Sequence, residues 1–351
     1  MAQTGTGEVG FRAIVLGCAQ DAGIPSIGCS CSRCSHARAL GSAYKDGMVA
    51  CLGLVDDGDR KAFLVDATPD IGSQLWELQQ AIPANDGPGN VLGGILLTHA
   101  HMGHYSGLLQ LGKEALGAAQ VPVFCTASMA AFLHENLPWS LLVEGNSIVI
   151  TELTPGSAYR LCTGLCVTPI SVPHRDEISD TVAMLFSCGD QSKLLYCPDT
   201  NGWGEGWGKG IRAWCDEVEV AVVDGTFYSA DELPAGRSIA DIPHPLIPDT
   251  VARLSGCSAQ VVFTHLNHTN PVATAASEQR RSVTDAGMSV AEFGMQWCFS
   301  APAQSSMTAA EVTAAAAVDA AAAAPAAAAA AVGGGETIVD WEVCLRRSHR
   351  M

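Results

Sequence analysis

Lysine is scarce in this 351-residue chain: five residues, within a basic total of 19 set against 36 acidic side chains, for a formal charge of −17. Such a surface repels nucleic-acid phosphates and anionic lipid headgroups. The one basic cluster, Arg346, Arg347 and Arg350, sits at the C-terminal end. No apolar stretch reaches the roughly 20 residues of a membrane span. Residues 1–10 have neither the basic nor the apolar region of a secretory signal. The expected setting is therefore the cytoplasm, with a small-molecule substrate, no nucleic-acid partner and no membrane, and with a homodimer admitted. An apolar fraction of 48% is ample for the core of one large α/β domain or two small ones.

Fourteen cysteines do not make a disulfide framework here. Cys51, Cys125, Cys188 and Cys257 lie singly in apolar runs, as small buried hydrophobes do, in keeping with a reducing compartment. Cys29, Cys31 and Cys34 differ. Their C-x-C-x-x-C spacing lets three thiolates meet one zinc ion, and a closed structural site needs a fourth ligand. Four residues are candidates: His36, Cys18, Cys298 and His268. His36 would require a sharp fold-back, and Cys18 and Cys298 sit in or beside expected strands.

The chain is organised around residues 95–112, I-L-L-T-H-A-H-M-G-H-Y-S-G-L-L-Q-L-G. A short apolar run reads as a buried strand that stops at Thr98, and a helix-like pattern begins behind Gly107. Between them stand His99, His101 and His104. His99 and His101 share one side of an extended segment, and His104 comes from the following turn. Neutral imidazole is the commonest protein ligand for zinc and related metals.

The same arrangement recurs along the chain. Strands are expected at 11–16, 49–55, 61–65, 121–126, 147–150, 166–171, 181–187, 193–197, 218–223 and 260–264, and helices at 71–82, 127–137 and 246–255. A metal-ligating residue type follows strand after strand: Asp66, His99, His174, Asp199, Asp224 and His265. Six such cases imply a common rim. Strands that both alternate with helices and form hairpins favour a mixed two-sheet α/β sandwich. Residues 290–299 would close the core, giving a domain over 1–299. Residues 300–336 are Ala/Gly-rich low complexity with no apolar stripe, a linker or insertion. Residues 337–351 form a final strand or tail.

The H-x-H-x-x-H string resembles the H-x-H-x-D-H signature of the metallo-β-lactamase superfamily, over residues 11–297. The resemblance implies an αββα sandwich of two mixed sheets flanked by helices. V-L-G-C-A-Q-D-A-G-I-P, D-G-T-F-Y-S-A-D-E-L and H-L-N-H-T-N-P are similar to strings of the pyrroloquinoline quinone biosynthesis B family. The cysteine cluster with a late second histidine resembles the phosphoribosyl cyclic phosphodiesterases. Carried over by position, the superfamily implies His99, His101 and His174 on a first metal, His104 and His265 on a second, Asp199 bridging both, and Asp66 orienting a ligand. The resemblance also implies catalytic roles for Asp199, His265 and Asp66, and it implies that Asp224 and His244, in strings shared with the quinone-biosynthesis family, line the substrate pocket. The phosphodiesterase resemblance selects His268 to complete Cys29, Cys31 and Cys34 around a structural zinc.

Gly103 stands where the signature has its Asp. The expectation is a weaker or different metal at the second position, which Gly103→Asp would strengthen. Zn2+ is the expected structural ion and the leading catalytic one, with Fe2+ or Mn2+ admitted at the active site. Three functions follow: a metal-dependent hydrolase of a small anionic ester or phosphodiester, an iron-dependent oxygenase of quinone-cofactor biosynthesis, or a non-catalytic metal carrier.

Overall fold

Strands with two apolar faces make this fold. In residues 61–65 the alternation places Ala62 and Leu64 against one layer and Phe63 and Val65 against another. Both faces are buried, so neither can be left to solvent. The structure, a computed structural model, describes residues 10–82, 92–189, 191–204, 206–233, 236 and 242–300. The low-complexity stretch after residue 300 and the expected tail lie outside them.

The first sheet comprises β1 (Gly10–Gly17), β2 (Cys51–Asp56), β3 (Lys61–Val65), β4 (Leu92–Leu96), β5 (Val121–Thr126) and β6 (Ile148–Leu153). The second comprises β7 (Tyr159–Cys162), β8 (Leu165–Ser171), β9 (Val182–Cys188), β10 (Gln191–Cys197), β11 (Val220–Asp224), β12 (Gln260–Thr264) and β13 (Ser289–Val290). A last strand, β14 (Gln296–Ser300), returns to pair antiparallel with β1. The resulting orders are β14-β1-β2-β3-β4-β5-β6 and β13-β12-β11-β10-β9-β8-β7.

Both sheets are mixed. β3 to β6 run parallel in the first, and β10 to β13 in the second. Phe11, Leu54, Phe63, Phe124, Phe186, Tyr196 and Val222 fill the space between the sheets. Helices Ile71–Gln80, Ala127–Glu135 and Trp139–Glu144 cover the outer face of the first sheet, and Ile211–Cys215, Ile247–Leu254 and Glu278–Asp285 that of the second. This is the αββα sandwich of the metallo-β-lactamase type.

Several details depart from expectation. β4 begins at Leu92, three residues before the apolar run that was expected to form it. The strand β7 and the helices Ser32–Leu40, Trp139–Glu144 and Glu278–Asp285 were not anticipated. Cys257 is only half-buried, whereas Cys51, Cys125 and Cys188 are core.

The Tyr196 side chain is buried to 1% exposure between the sheets, and burial pushes its phenol well above the usual range. Its hydroxyl has no hydrogen-bond partner among the described residues. An unsatisfied buried polar group costs about 1–3 kcal/mol. Tyr196→Phe should therefore raise unfolding stability by about 1 kcal/mol in urea titration, and a loss of stability would show that the hydroxyl is bonded.

Candidate metal centre

Two buried carboxylates at strand ends set the geometry of the cleft. Asp66 follows β3 with φ +71°, and His265 follows β12 with φ +60°. Non-glycine residues rarely adopt this left-handed conformation, and it clusters at functional sites. Asp66 Oδ1 accepts the Thr98 backbone N–H at 2.9 Å and the Thr98 hydroxyl at 2.9 Å, while Oδ2 stands 2.7 Å from His104 Nδ1. Thr98 spends its proton on the carboxylate. Its oxygen therefore accepts from His99 Nδ1–H at 3.0 Å.

Asp224, the last residue of β11, repeats this pattern. Its Oδ1 accepts the Thr226 hydroxyl at 2.8 Å, and that oxygen accepts from His265 Nδ1–H at 2.9 Å. Its Oδ2 accepts from His244 Nδ1 at 2.8 Å and from the Thr200 backbone N–H at 3.1 Å. His174 Nδ1 donates to Asn201 Oδ1 at 3.0 Å. Each network fixes one tautomer, with Nδ1 protonated. The Nε2 lone pairs of His99, His104, His174 and His265 are left for another partner.

These lone pairs converge. His101 Nδ1 lies 2.9 Å from His99 Nε2 and 3.0 Å from His174 Nε2. Asp199 Oδ2 stands 3.0 Å from His174 Nε2, 3.4 Å from His99 Nε2 and 3.8 Å from His101 Nδ1. Ligand atoms on a tetrahedral zinc with bonds of about 2.0–2.1 Å stand about 3.3 Å apart, so this set fits one ion.

A second set adjoins it. Asp21 Oδ1 lies 3.3 Å from His104 Nε2 and 3.7 Å from His265 Nε2. Asp199 Oδ2 is 4.0 Å and 3.9 Å from the same two nitrogens, between the two sets. Asp21 Oδ1, His104 Nε2, His265 Nε2 and Asp199 Oδ1 are buried and lack any hydrogen-bond partner among the described residues. Three of these, Asp21 Oδ1, His104 Nε2 and His265 Nε2, lie within 4.8 Å of one another, and such orphaned atoms are costly unless a cation takes them.

The electrostatics agree. Burial opposes the charge of Asp199, but His244, His265 and His174 outweigh it and hold the carboxyl well below the usual range. Burial likewise opposes Asp21, and His104 and His265 keep it ionised. His244 is buried too, yet Asp224 and then Asp199 hold it up to about 9. Its Nδ1 stands 3.3 Å from Asp199 Oδ1, an ion-pair distance without hydrogen-bond alignment.

The structure gives one expected residue a different place and adds one that was not expected. Asp224 was expected in the substrate pocket, but it is fully buried and its oxygens are engaged by Thr200, Thr226 and His244. It lies behind His244 and, through Thr226, behind His265, and orients both rings. Asp21 was missed. It follows β1 by several loop residues, so it did not read as a strand-end ligand, although it stands in the A-Q-D-A-G-I-P string. The expectation that Gly103→Asp would help also fails on sterics. A Cβ at Gly103 would lie 2.2 Å from Asp21 Oδ1 and 2.7 Å from Asp21 Cα.

The cysteines form a separate cluster. Cys29, Cys31 and Cys34 each offer a sulfur within 4.8 Å of one another and of a His268 nitrogen. His268 Nδ1 is 3.6 Å from Cys29 Sγ and 3.8 Å from Cys31 Sγ. Cys31 caps helix Ser32–Leu40 by accepting the Cys34 N–H, and that contact lowers its thiol to about 6. Arg33 ties the loop to the Asn270 carbonyl at 2.8 Å, and Arg38 holds the Ser26 carbonyl at 2.9 Å. Of the other candidates, Cys18 is buried, Cys298 is exposed in β14, and His36 packs edge-on to Tyr44.

The sequence profile described as Beta-lactamase superfamily domain matches residues 61–266. The chain is 26% identical over 306 residues to Coenzyme PQQ synthesis protein B of Methylobacterium sp. (strain 4-46), covering 81% of this chain and 99% of that protein. To the Klebsiella pneumoniae protein of the same name it is 27% identical over 304 residues, covering 80% and 96%. Zn(2+)-bound PqqB from Methylobacterium extorquens superposes with a TM-score of 0.69 at 23% identity, covering 82% of this chain and 99% of that one. A diphosphatase from the PhnP family does so at 0.56 and 20%, covering 82% and 97%. Identities this low speak to the fold.

His268→Ala should cost the protein one bound zinc and some thermal stability, because a tetrahedral thiolate site would lose a ligand. Metal held by His99, His101 and His174 should stay. Elemental analysis with a melting curve reads both, and an unchanged zinc count would place the fourth ligand elsewhere.

Proposed function

This chain belongs to the beta-lactamase superfamily, and on that premise we propose that it is a metal-dependent hydrolase acting on a small anionic ester or phosphodiester. The observation that carries this reading is the convergence of His99, His101 and His174 on Asp199 Oδ2 within 3.0–3.8 Å. A divalent ion held there would supply a Lewis acid that polarises a carbonyl or phosphoryl oxygen and brings the pKa of water toward about 7.

The remaining tasks fall to the chain itself. Asp66 and Asp224 hold the imidazole rings so that no reorganisation is needed on binding. Asp199 Oδ1 is free to accept a proton from the attacking water, and the charged His244 ring beside it stabilises the ionised carboxylate. Glu177 stands 3.7 Å from His101 Nε2 at the exposed mouth, and Arg175 pairs with it at 3.8 Å. Arg175 offsets the charge of Glu177 at that mouth, so an anionic substrate would not meet an uncompensated carboxylate there.

A second reading has its own support. Asp21, His104 and His265 make a two-histidine, one-carboxylate set, the ligand type of non-haem iron centres with open positions. Together with the similarity to proteins named for coenzyme PQQ synthesis, this favours an oxidative step in quinone-cofactor synthesis as the alternative.

The test is turnover of bis(p-nitrophenyl) phosphate by protein purified without chelators. Hydrolysis is expected with zinc or manganese, and Asp199→Asn should lower kcat by about 10²-fold or more, the size of a general-base contribution. Absence of hydrolysis, with iron retained and oxygen consumed, would decide for the oxidative reading. Metal binding with neither activity would leave a carrier.

A further inference from the structure

Gly103 and Asp21 occupy one place in space. Gly103 is buried in the short helix Met102–Tyr105, between His101 and His104. The volume a side chain would take there is filled by Asp21, whose carboxylate reaches in from the loop after β1. We propose that Asp21 supplies, from a different loop, the carboxylate ligand that residue 103 cannot, so that this chain keeps a complete second metal position made of Asp21, His104, His265 and Asp199.

Three independent observations support the exchange. The first is steric. The glycine is required by Asp21, because a Cβ would collide with the Asp21 backbone at 2.7 Å as well as its carboxylate. A flexible side chain could move aside; a Cα held by paired backbone cannot.

The second is how firmly that backbone is held. Leu266 N–H donates to the Cys18 carbonyl at 2.7 Å, and Gln20 N–H donates to the Leu266 carbonyl at 3.0 Å. Cys18 and Ala19 N–H both donate to the Met48 carbonyl at 2.9 Å, and Ala50 N–H donates to the Ala19 carbonyl at 2.8 Å. The Asp21 loop is thus paired on one side with the segment that carries His265 and on the other with the start of β2.

The third is the state of the atoms. Asp21 Oδ1, His104 Nε2 and His265 Nε2 are all buried and all without a hydrogen-bond partner among the described residues. A carboxylate present only for structure would spend its oxygen on a nearby N–H. This one faces two imidazole lone pairs whose far nitrogens are committed to Asp66 and Thr226.

The inference rests on reading the cleft as a metal centre, and metal counting separates the two. Full-length protein reconstituted with Zn2+ alone and freed of excess metal is analysed for bound zinc. Wild type should hold about three equivalents, two in the cleft and one on the cysteines. Asp21→Ala should hold about one fewer, with unchanged circular dichroism. Asp21→Asn, nearly isosteric, should weaken the lost site by more than the roughly 10–100-fold that removing an outer partner costs.

Gly103→Asp alone should gain no zinc and should lower the melting temperature. The paired variant Asp21→Gly with Gly103→Asp should recover the lost equivalent. If wild type holds no zinc beyond the cysteine site, the metal-centre reading itself fails. If wild type holds two in the cleft and both Asp21 variants keep them, or if Gly103→Asp raises occupancy unaided, only the Asp21 assignment is overturned.

Discussion

Four histidines of the cleft depend on two carboxylates that water does not reach. Asp66 and Asp224 are fully buried, and an ionised group taken from water costs several kcal/mol unless it is bonded on all sides. Each meets that cost with a backbone N–H, a threonine hydroxyl and a histidine ring. The requirement runs both ways. Satisfying the acid freezes the ring, and the frozen ring directs Nε2 toward the cleft. Asp66 settles His104 directly and His99 through Thr98; Asp224 settles His244 directly and His265 through Thr226.

The fold makes such burial possible by ending its central parallel strands at one edge. β3 and β4 in one sheet and β10, β11 and β12 in the other deliver their last residues to a common rim. Apolar side chains on both faces hold each strand in place. The left-handed turns at Asp66 and His265 then direct the chain inward where an extended continuation would carry it past. Local strain of this kind persists only where the surroundings over-determine it.

Much of this could be read from the sequence because it follows short-range rules. Apolar runs that stop at His, Asp or Thr gave the strand ends, and Lys61–Val65 and Gln260–Thr264 match their expected limits. What escaped lacked such a pattern. Helix Ser32–Leu40 buries only Cys34 and Ala37, and helix Glu278–Asp285 buries only Val283, so neither carries an apolar stripe. Asp21 escaped for a different reason. Its neighbours in the cleft are distant in sequence, and the vacancy left by Gly103 reads as a loss when only the H-x-H-x-x-H string is considered. The role of Asp224 was misplaced because a strand-end acid looks alike whether it faces substrate or the back of a histidine.

The division of ligand types between the sheets has a mechanical consequence. His99, His101 and His104 belong to the first sheet, whereas His174, Asp199 and His265 belong to the second. A cation held by both acts as a rivet through one edge of the sandwich. Because the unfolded chain has no such cage, the rivet adds its binding free energy to the folded state alone. The layers would therefore be least firmly joined along the edge where chemistry takes place whenever that cation is absent.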